Sequence, residues 1–300
     1  MMHFERQTVG DHDLRVARVH DGDRPTVVMT NALPQSIRCW ESLWDRLSDN
    51  FDLLAVDLPG FGRSTGSGSV MRPSAQSDVL ARLMDANGIG ETFLIGPDIG
   101  VPVSLWLASS QPERLLGVNI YDGPGTWPAD FDPSLRAATH SRLVRWLGTH
   151  RPVRRGLMKR NLDAATAAGY HHFTPSAAAV EEYRAICFDP QKHCNAFDFL
   201  GSYAEELPVL EERLPSVTVP VLITWGAHDQ FVHPSNAERL DALLPNSEVT
   251  VFDDAGHFSH EDADDEWLQR FRTFVEAHSP NPHTRRGPTP PDTTETPPHH

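Results

Sequence analysis

Residues 4–9 and 14–19 alternate apolar and polar positions on either side of Gly10-Asp11-His12. That period of two predicts two half-buried strands joined by a turn, an antiparallel hairpin at a sheet edge. Residues 26–30 form a compact apolar run, as a strand buried on both faces does. The next segment, 37–47, changes period: Trp40, Leu43, Trp44 and Leu47 fall on one helical face. Strand, helix, strand and helix then follow at 53–56, 77–86, 92–95 and 101–109, with another buried strand at 116–120. In the 77–86 helix Val79, Leu80 and Leu83 are spaced for burial, and Pro102 suits a first helical turn. Such alternation predicts the α/β class with a mostly parallel sheet.

After residue 120 the pattern breaks. Residues 123–214 carry helical signals and no strand signal, and strand character returns at 221–225 and 248–252, with helices at 235–244 and 265–277. The organisation predicted is a core made of residues 1–124 and 216–278, interrupted by a helical insertion at 125–215. Residues 279–300 are rich in Pro and Thr, cannot build a core, and read as a disordered tail. The acidic run 261–266 reads as negative charge placed at the start of the last helix.

Composition narrows the function classes. A formal charge of -15 argues against a surface that neutralises phosphates, and the Arg-rich stretch 151–160 is too local to reverse this, so no nucleic-acid partner is expected. No stretch approaches the roughly 20 apolar residues of a spanning helix, and the N-terminus lacks the apolar region of a signal peptide. A cytoplasmic protein without a membrane partner is the expectation. Cys39, Cys187 and Cys194 show neither paired nor metal-ligand spacing and read as reduced thiols.

Three loops carry candidate chemistry, each at the C-terminal end of a strand. Gly96-Pro97-Asp98-Ile99-Gly100 turns a strand sharply into a helix, which lifts Asp98 above the sheet with helix amides behind it. On its own that turn serves equally as a helix cap. Further on, Trp225-Gly226-Ala227-His228-Asp229 ends a buried strand in an acid, and Asp254-Ala255-Gly256-His257-Phe258 follows a strand with a histidine. Nucleophile, acid and histidine in that order, all at strand ends, point to a nucleophilic site of Asp98, Asp229 and His257. Asp122, just after strand 116–120, is an alternative orienting acid, and His260 competes with His257.

Residues 25–277 resemble the α/β-hydrolase superfamily, in particular its aspartate-nucleophile branch of epoxide hydrolases and haloalkane dehalogenases. The resemblance rests on DLPGFGRS at 57–64, GPDIG at 96–100, WGAHD at 225–229 and AGHFSHED at 255–262. It implies an eight-stranded, mostly parallel sheet flanked by helices, with the 125–215 insertion as a helical cap. It also implies that the segment Asn31-Ala32-Leu33-Pro34 stands where the family has HGxP, so that the Leu33 and Ile99 amides form the oxyanion hole. Asn31 then becomes a candidate specificity residue, and Asn31, Pro34, Trp127 and Phe258 candidate pocket residues.

Within that branch, the familiar dehalogenases hold halide with a Trp after the nucleophile and an Asn at position x, where this chain has Ile99 and Leu33. Fluoroacetate dehalogenases carry arginines at the elbow, where this chain has Ile99 and Pro102. Epoxide hydrolases use an acid from the cap, typically Tyr, and the insertion offers Tyr170, Tyr183 and Tyr203. Tyr170, beside His171 and His172, has the most polar company; Tyr183 and Tyr203 sit in regular helical settings, and the two histidines are alternative acids. The expectation is hydrolysis of an apolar or aromatic epoxide, with an aromatic natural-product intermediate as one candidate, through an Asp98 ester, with no metal or organic cofactor. Dehalogenation and a non-hydrolytic protein on the same scaffold are the rivals.

Overall fold

Strands covered by helices on both sides have no face to give to water, and the central strands here obey that rule. The computed structural model describes residues 2–150 and 167–280. Its strands are β1 (Phe4–Val9), β2 (His12–Val19), β3 (Thr26–Thr30), β4 (Asp52–Val56), β5 (Thr92–Pro97), β6 (Leu115–Tyr121), β7 (Val221–Gly226) and β8 (Ser247–Phe252). They form one eight-stranded sheet in the order β1-β2-β4-β3-β5-β6-β7-β8. β4, β5 and β7 are buried at every residue. β2 pairs antiparallel with β1 and β4, and the remaining pairs are parallel.

Alternate residues of one strand feed two cores. Val28 and Leu54 pack on one face of the sheet with Leu80 and Leu83 of the helix Pro73–Ala86. Val27, Met29 and Leu53 pack on the other with Trp267 and Phe271 of the helix Asp264–His278. The helical face predicted at 37–47 is buried as expected, but two pieces make it, a 3-10 turn Ile37–Trp40 and α1 (Trp44–Ser48). Trp40 donates its indole N–H to Thr30 O at 2.9 Å, which fixes the turn against β3. The helix predicted at 77–86 begins earlier, because Pro73 fits the first helical position where no N–H is needed; this helix is α2 (Pro73–Ala86). α3 (Gly100–Ser110) follows β5 directly.

Between β6 and β7 lie α4 (Pro133–His140), α5 (Arg142–Thr149), α6 (Ala177–Phe188) and α7 (Pro190–Arg213), with no strand among the described residues of that segment. After β7 come α8 (Ser235–Asp241), α9 (Ser259–Asp262) and α10 (Asp264–His278). The Arg-rich stretch at 151–160 and the tail from 281 onward lie outside the described residues.

Polar anchors tie the insertion to the sheet domain. Glu182 on α6 meets Arg15 of β2 at 2.8 Å and Arg38 at 2.9 Å, and accepts the Ser36 hydroxyl at 2.5 Å. Burial opposes the charged Glu182, but these partners outweigh it and hold the carboxyl down at about 2. On α7, Asn195 donates to the carbonyls of Gly60 and Gly66, both at 2.9 Å.

The acidic run does not act as one block of charge at the start of the last helix. Asp264 and Asp265 do pair with Arg46 outside. Glu261 and Asp262, however, are buried, because α9 is a short turn that aims them inward before α10 begins. Asp262 accepts four backbone amides, those of Gly256, His171, His172 and Phe173, at 2.8–3.0 Å.

Candidate active site

The elbow between β5 and α3 holds Asp98 at φ +46°, a left-handed conformation that a non-glycine residue adopts only when its surroundings impose it. The flanking glycines explain how it fits. A Cβ on Gly96 would collide with the Ser104 hydroxyl and the Gly100 carbonyl, and one on Gly100 with the Thr30 hydroxyl. The turn therefore brings Asp98 up between the loop after β3 and the ends of β6 and β7, its own N–H held by Tyr121 O at 2.9 Å.

The two oxygens of Asp98 have different surroundings. Oδ2 accepts the Leu33 N–H at 2.7 Å, and the Ile99 amide lies close enough to help hold the Asp98 pKa down. Oδ1 lies 3.9 Å from His257 Nε2. His257 Nδ1 is 2.9 Å from Asp229 Oδ2, a contact that places the proton on Nδ1 and leaves Nε2 toward Asp98. Asp229 is fixed in turn by the N–H groups of Phe231 and Val232, at 2.8 and 3.0 Å on Oδ1. The structure thus brings Asp98, His257, Asp229, Leu33 and Ile99 together.

Burial shapes the charges of this group. Desolvation raises the pKa of Asp98, opposed by His257 and by the Leu33 and Ile99 amides. Burial also opposes a charged His257, but Asp229, Asp98 and Asp122 overcome it and lift the imidazole to about 9. Asp98 and His257 thus form a buried acid–base pair, with Asp229 and Asp122 on the far side of the imidazole.

Asp122 is not the acid that orients His257. Its Oδ1 accepts the Gly226 N–H and its Oδ2 the Ser259 N–H, both at 3.0 Å, so it is committed to the two loops that carry Asp229 and His257. His260 is buried against Trp40 and Tyr121, where desolvation depresses its pKa to about 3; it is a neutral core residue. His171 stacks on His228 at 4.2 Å and faces Asp254, and His172 is half exposed beside Asp262.

A cavity of about 260 Å³ opens over Asp98 and His257. Leu33, Pro34, Phe131, Leu200 and Phe231 are among its walls, and Tyr203 is the polar group it holds besides Asp98 and His257. The Tyr203 hydroxyl is buried without a hydrogen-bond partner among the described residues. Burial and the nearby Asp98 charge raise its pKa well above the ordinary value, so it stays protonated.

Several expected pocket residues lie elsewhere. Tyr170 and Tyr183 line a separate cavity of about 300 Å³ with Phe173. The Tyr170 hydroxyl donates to Glu261 Oε2 at 3.0 Å and accepts from Gln35 Nε2 at 2.7 Å, so its polar neighbours engage it away from Asp98. Asn31 turns inward: its Oδ1 accepts the Leu58 N–H at 2.8 Å and its Nδ2 donates to Ala32 O at 2.9 Å. It pins the Leu33 loop to the 57–64 loop and is not part of the cavity wall. Trp127 stacks on His140 at 4.5 Å, off the cavity, and Phe258 backs the His257 ring at 5.0 Å without lining it.

Gln35, Glu261 and Asp262 were missed as contributors to the site. Gln35 follows the Leu33-Pro34 step and donates to Glu261 Oε2 at 2.6 Å. Desolvation lifts Glu261 to about 8 despite that bond. The one sequence signal was the position of Glu261 and Asp262 four and five residues after His257. Among the described residues no group of three His, Cys, Asp or Glu side chains is placed to hold a metal ion, and no helix is long and apolar enough to cross a membrane.

A family model described as the alpha/beta hydrolase fold matches residues 25–264. The chain belongs to the alpha/beta hydrolase family. It is a hydrolase of that fold, and its relatives show how widely the family varies. It is 27% identical over 276 residues to a protein named haloalkane dehalogenase 2 of Mycobacterium tuberculosis, covering 87% of this chain and 92% of the relative. Among solved structures, the epoxide hydrolase CorEH superposes with a TM-score of 0.77 at 18% identity, over 92% of this chain and 99% of that one. The haloalkane dehalogenase DbeA of Bradyrhizobium elkani gives 0.73 at 18%, over 93% and 100%. Identities that low establish a common fold and leave the reaction to the residues of the site.

Proposed function

We propose that this hydrolase opens epoxides to vicinal diols through an ester on Asp98, with residues 125–215 acting as the cap. The observation that carries the reading is the sorting of the Asp98 oxygens. Oδ2 sits on the Leu33 amide and Oδ1 faces the cavity beside His257, while Tyr203 offers an unpartnered hydroxyl from the opposite element.

Oδ1 attacks an epoxide carbon, the C–O bond breaks, and Tyr203 gives its proton to the departing alkoxide oxygen. The product is a neutral alkyl ester at Asp98. Its formation removes one of the carboxylates that hold His257 at about 9, so the imidazolium sheds its proton, which restores Tyr203. Neutral His257, oriented by Asp229, then takes a proton from water as that water attacks the ester carbonyl carbon. The Leu33 and Ile99 amides receive the oxyanion on Oδ2. Collapse of the tetrahedral intermediate releases the diol and regenerates the carboxylate.

Dehalogenation is the second reading, favoured by the mycobacterial relative. Against it, Ile99 and Leu33 replace the Trp and Asn side chains that would solvate a departing halide, and the cavity walls are otherwise apolar. The deciding experiment is intact mass spectrometry of His257→Gln after incubation with epoxides and, separately, haloalkanes. A substrate-sized adduct on Asp98 from an epoxide supports the proposal; an adduct only from the haloalkane transfers the assignment to dehalogenation.

A further inference from the structure

We infer that the substrate is a small, uncharged epoxide of roughly ten non-hydrogen atoms or fewer, whose size limit is set by Leu135 and Leu200. The inference rests on the epoxide reading above and deepens it. An apolar void of ~150 Å³ holds benzene, and at that ratio the part of the pocket bounded by described residues, about 260 Å³, has room for roughly ten non-hydrogen atoms. A fused multi-ring natural-product intermediate exceeds this; a single aryl ring or a short alkyl chain beside the three-membered ring fills it.

Chemistry of the walls sets the charge. Among the described residues no Lys or Arg lines the cavity, and its ionisable groups are Asp98, His257 and Tyr203, all used by the proposed reaction. A carboxylate on the substrate would lie close to Asp98 and would find His257 already engaged by Asp98 and Asp229, and burying a charge without a partner of its own is costly. The epoxide oxygen has one unengaged donor, Tyr203. Leu200 lies one helical turn before Tyr203 on α7, on the same face, so the carbon substituent next to the protonated oxygen meets Leu200. Leu135 of α4 contributes a further wall. Both leucines are only partly buried, so shortening them enlarges the cavity without emptying the core.

The test is kcat/KM for 1,2-epoxyalkanes of increasing length, styrene oxide, a fused-ring arene epoxide and an epoxide bearing a carboxylate, in wild type, Leu200→Ala and Leu135→Ala. In wild type, kcat/KM rises about fourfold per added methylene until the chain outgrows the cavity, then falls at least tenfold; the fused-ring and carboxylate compounds run at least a hundredfold below the best substrate. In at least one variant the maximum moves to chains about two or three carbons longer. The inference is overturned if the fused-ring or anionic epoxide matches the best substrate, or if the length profile is the same in all three proteins. A separate arm, adduct mass on the His257→Gln protein, isolates the underlying reading. Adducts from epoxides of every size sink the size limit alone, whereas no adduct from any epoxide sinks both.

Discussion

The Leu33 amide lies 2.7 Å from Asp98 Oδ2, while the other oxygen of that carboxylate stands 3.9 Å from His257 Nε2. One oxygen is therefore engaged by a backbone amide, and on the proposed mechanism the other is the one that attacks. If water attacks the ester carbon, the oxygen first transferred to the diol comes from Asp98. In a single turnover with excess enzyme in oxygen-18 water, the label is expected in the Asp98 side chain and not in the diol. Label in the diol at first turnover means direct attack of water on the epoxide. Asp98→Asn is expected to lose on the order of a thousandfold or more in kcat, as loss of a nucleophile does elsewhere.

Tyr203 and its two rivals separate cleanly by mutation. Tyr203→Phe removes the donor and is expected to lower kcat by about a hundredfold or more, the usual range for general acid catalysis. Tyr183→Phe is expected to change kcat little, and Tyr170→Phe to act mainly on stability through Gln35 and Glu261. A large kcat loss confined to Tyr170→Phe would move the acid to the other cavity.

Stability should fall on the alkaline side. His257 is raised from 6.5 to about 9, so the fold favours its protonated form; that stabilisation is full below pH 6.5 and lost as pH rises through 9. Glu261 is raised from 4.5 to about 8 by burial, so the fold favours its neutral form, and that contribution is lost between pH 4.5 and 8. Melting temperatures are expected to decline by several degrees from pH 6 to 9.5. Glu261→Gln, which keeps an acceptor for Gln35 and Tyr170, should flatten the lower part of that decline, and His257→Gln the upper part. A Glu261→Gln profile parallel to wild type would show that Glu261 does not titrate in this window.

Asp262→Asn tests the four-amide clamp. An Asn carbonyl accepts with one oxygen, and its NH2 group faces the amides that the second carboxylate oxygen had satisfied. Urea unfolding is expected to show a loss of about 2–4 kcal/mol, from charged hydrogen bonds of roughly 1.5–3 kcal/mol each and the cost of unpaired donors. Asp265→Asn, in the same run but 87% exposed, should change little. Equal effects at the two positions would return the whole run to a role as charge at the helix start.

Most of the sheet was legible because buried strands and amphipathic helices write their periods locally: β1 to β8 each stand where an apolar run or alternation does. The Asp98, Asp229 and His257 loops were legible for the same reason, since each closes a strand. Direction of a side chain off a loop or a long helix was not legible. Tyr170 looked suited to a pocket because its sequence neighbours are polar, yet those polar groups hold its hydroxyl; Tyr203 looked ordinary because an unpartnered hydroxyl leaves no mark in a helical sequence. Asn31 looked like a specificity residue, and only Leu58, 27 positions away, explains where it points. Asp262 read as charge at the start of the last helix because the turn of α9 that aims it inward is only four residues long.

The leucine and phenylalanine walls also bear on the end of the turnover. An epoxide brings one ether oxygen into the cavity, whereas the diol brings two hydroxyls, and Tyr203 and the regenerated Asp98 are the partners on offer. A buried hydroxyl without a partner costs roughly 1–3 kcal/mol. On the proposed reaction a diol hydroxyl turned toward the leucine and phenylalanine walls, away from Tyr203 and Asp98, would meet that cost, so the product is expected to bind in the one orientation that serves both hydroxyls.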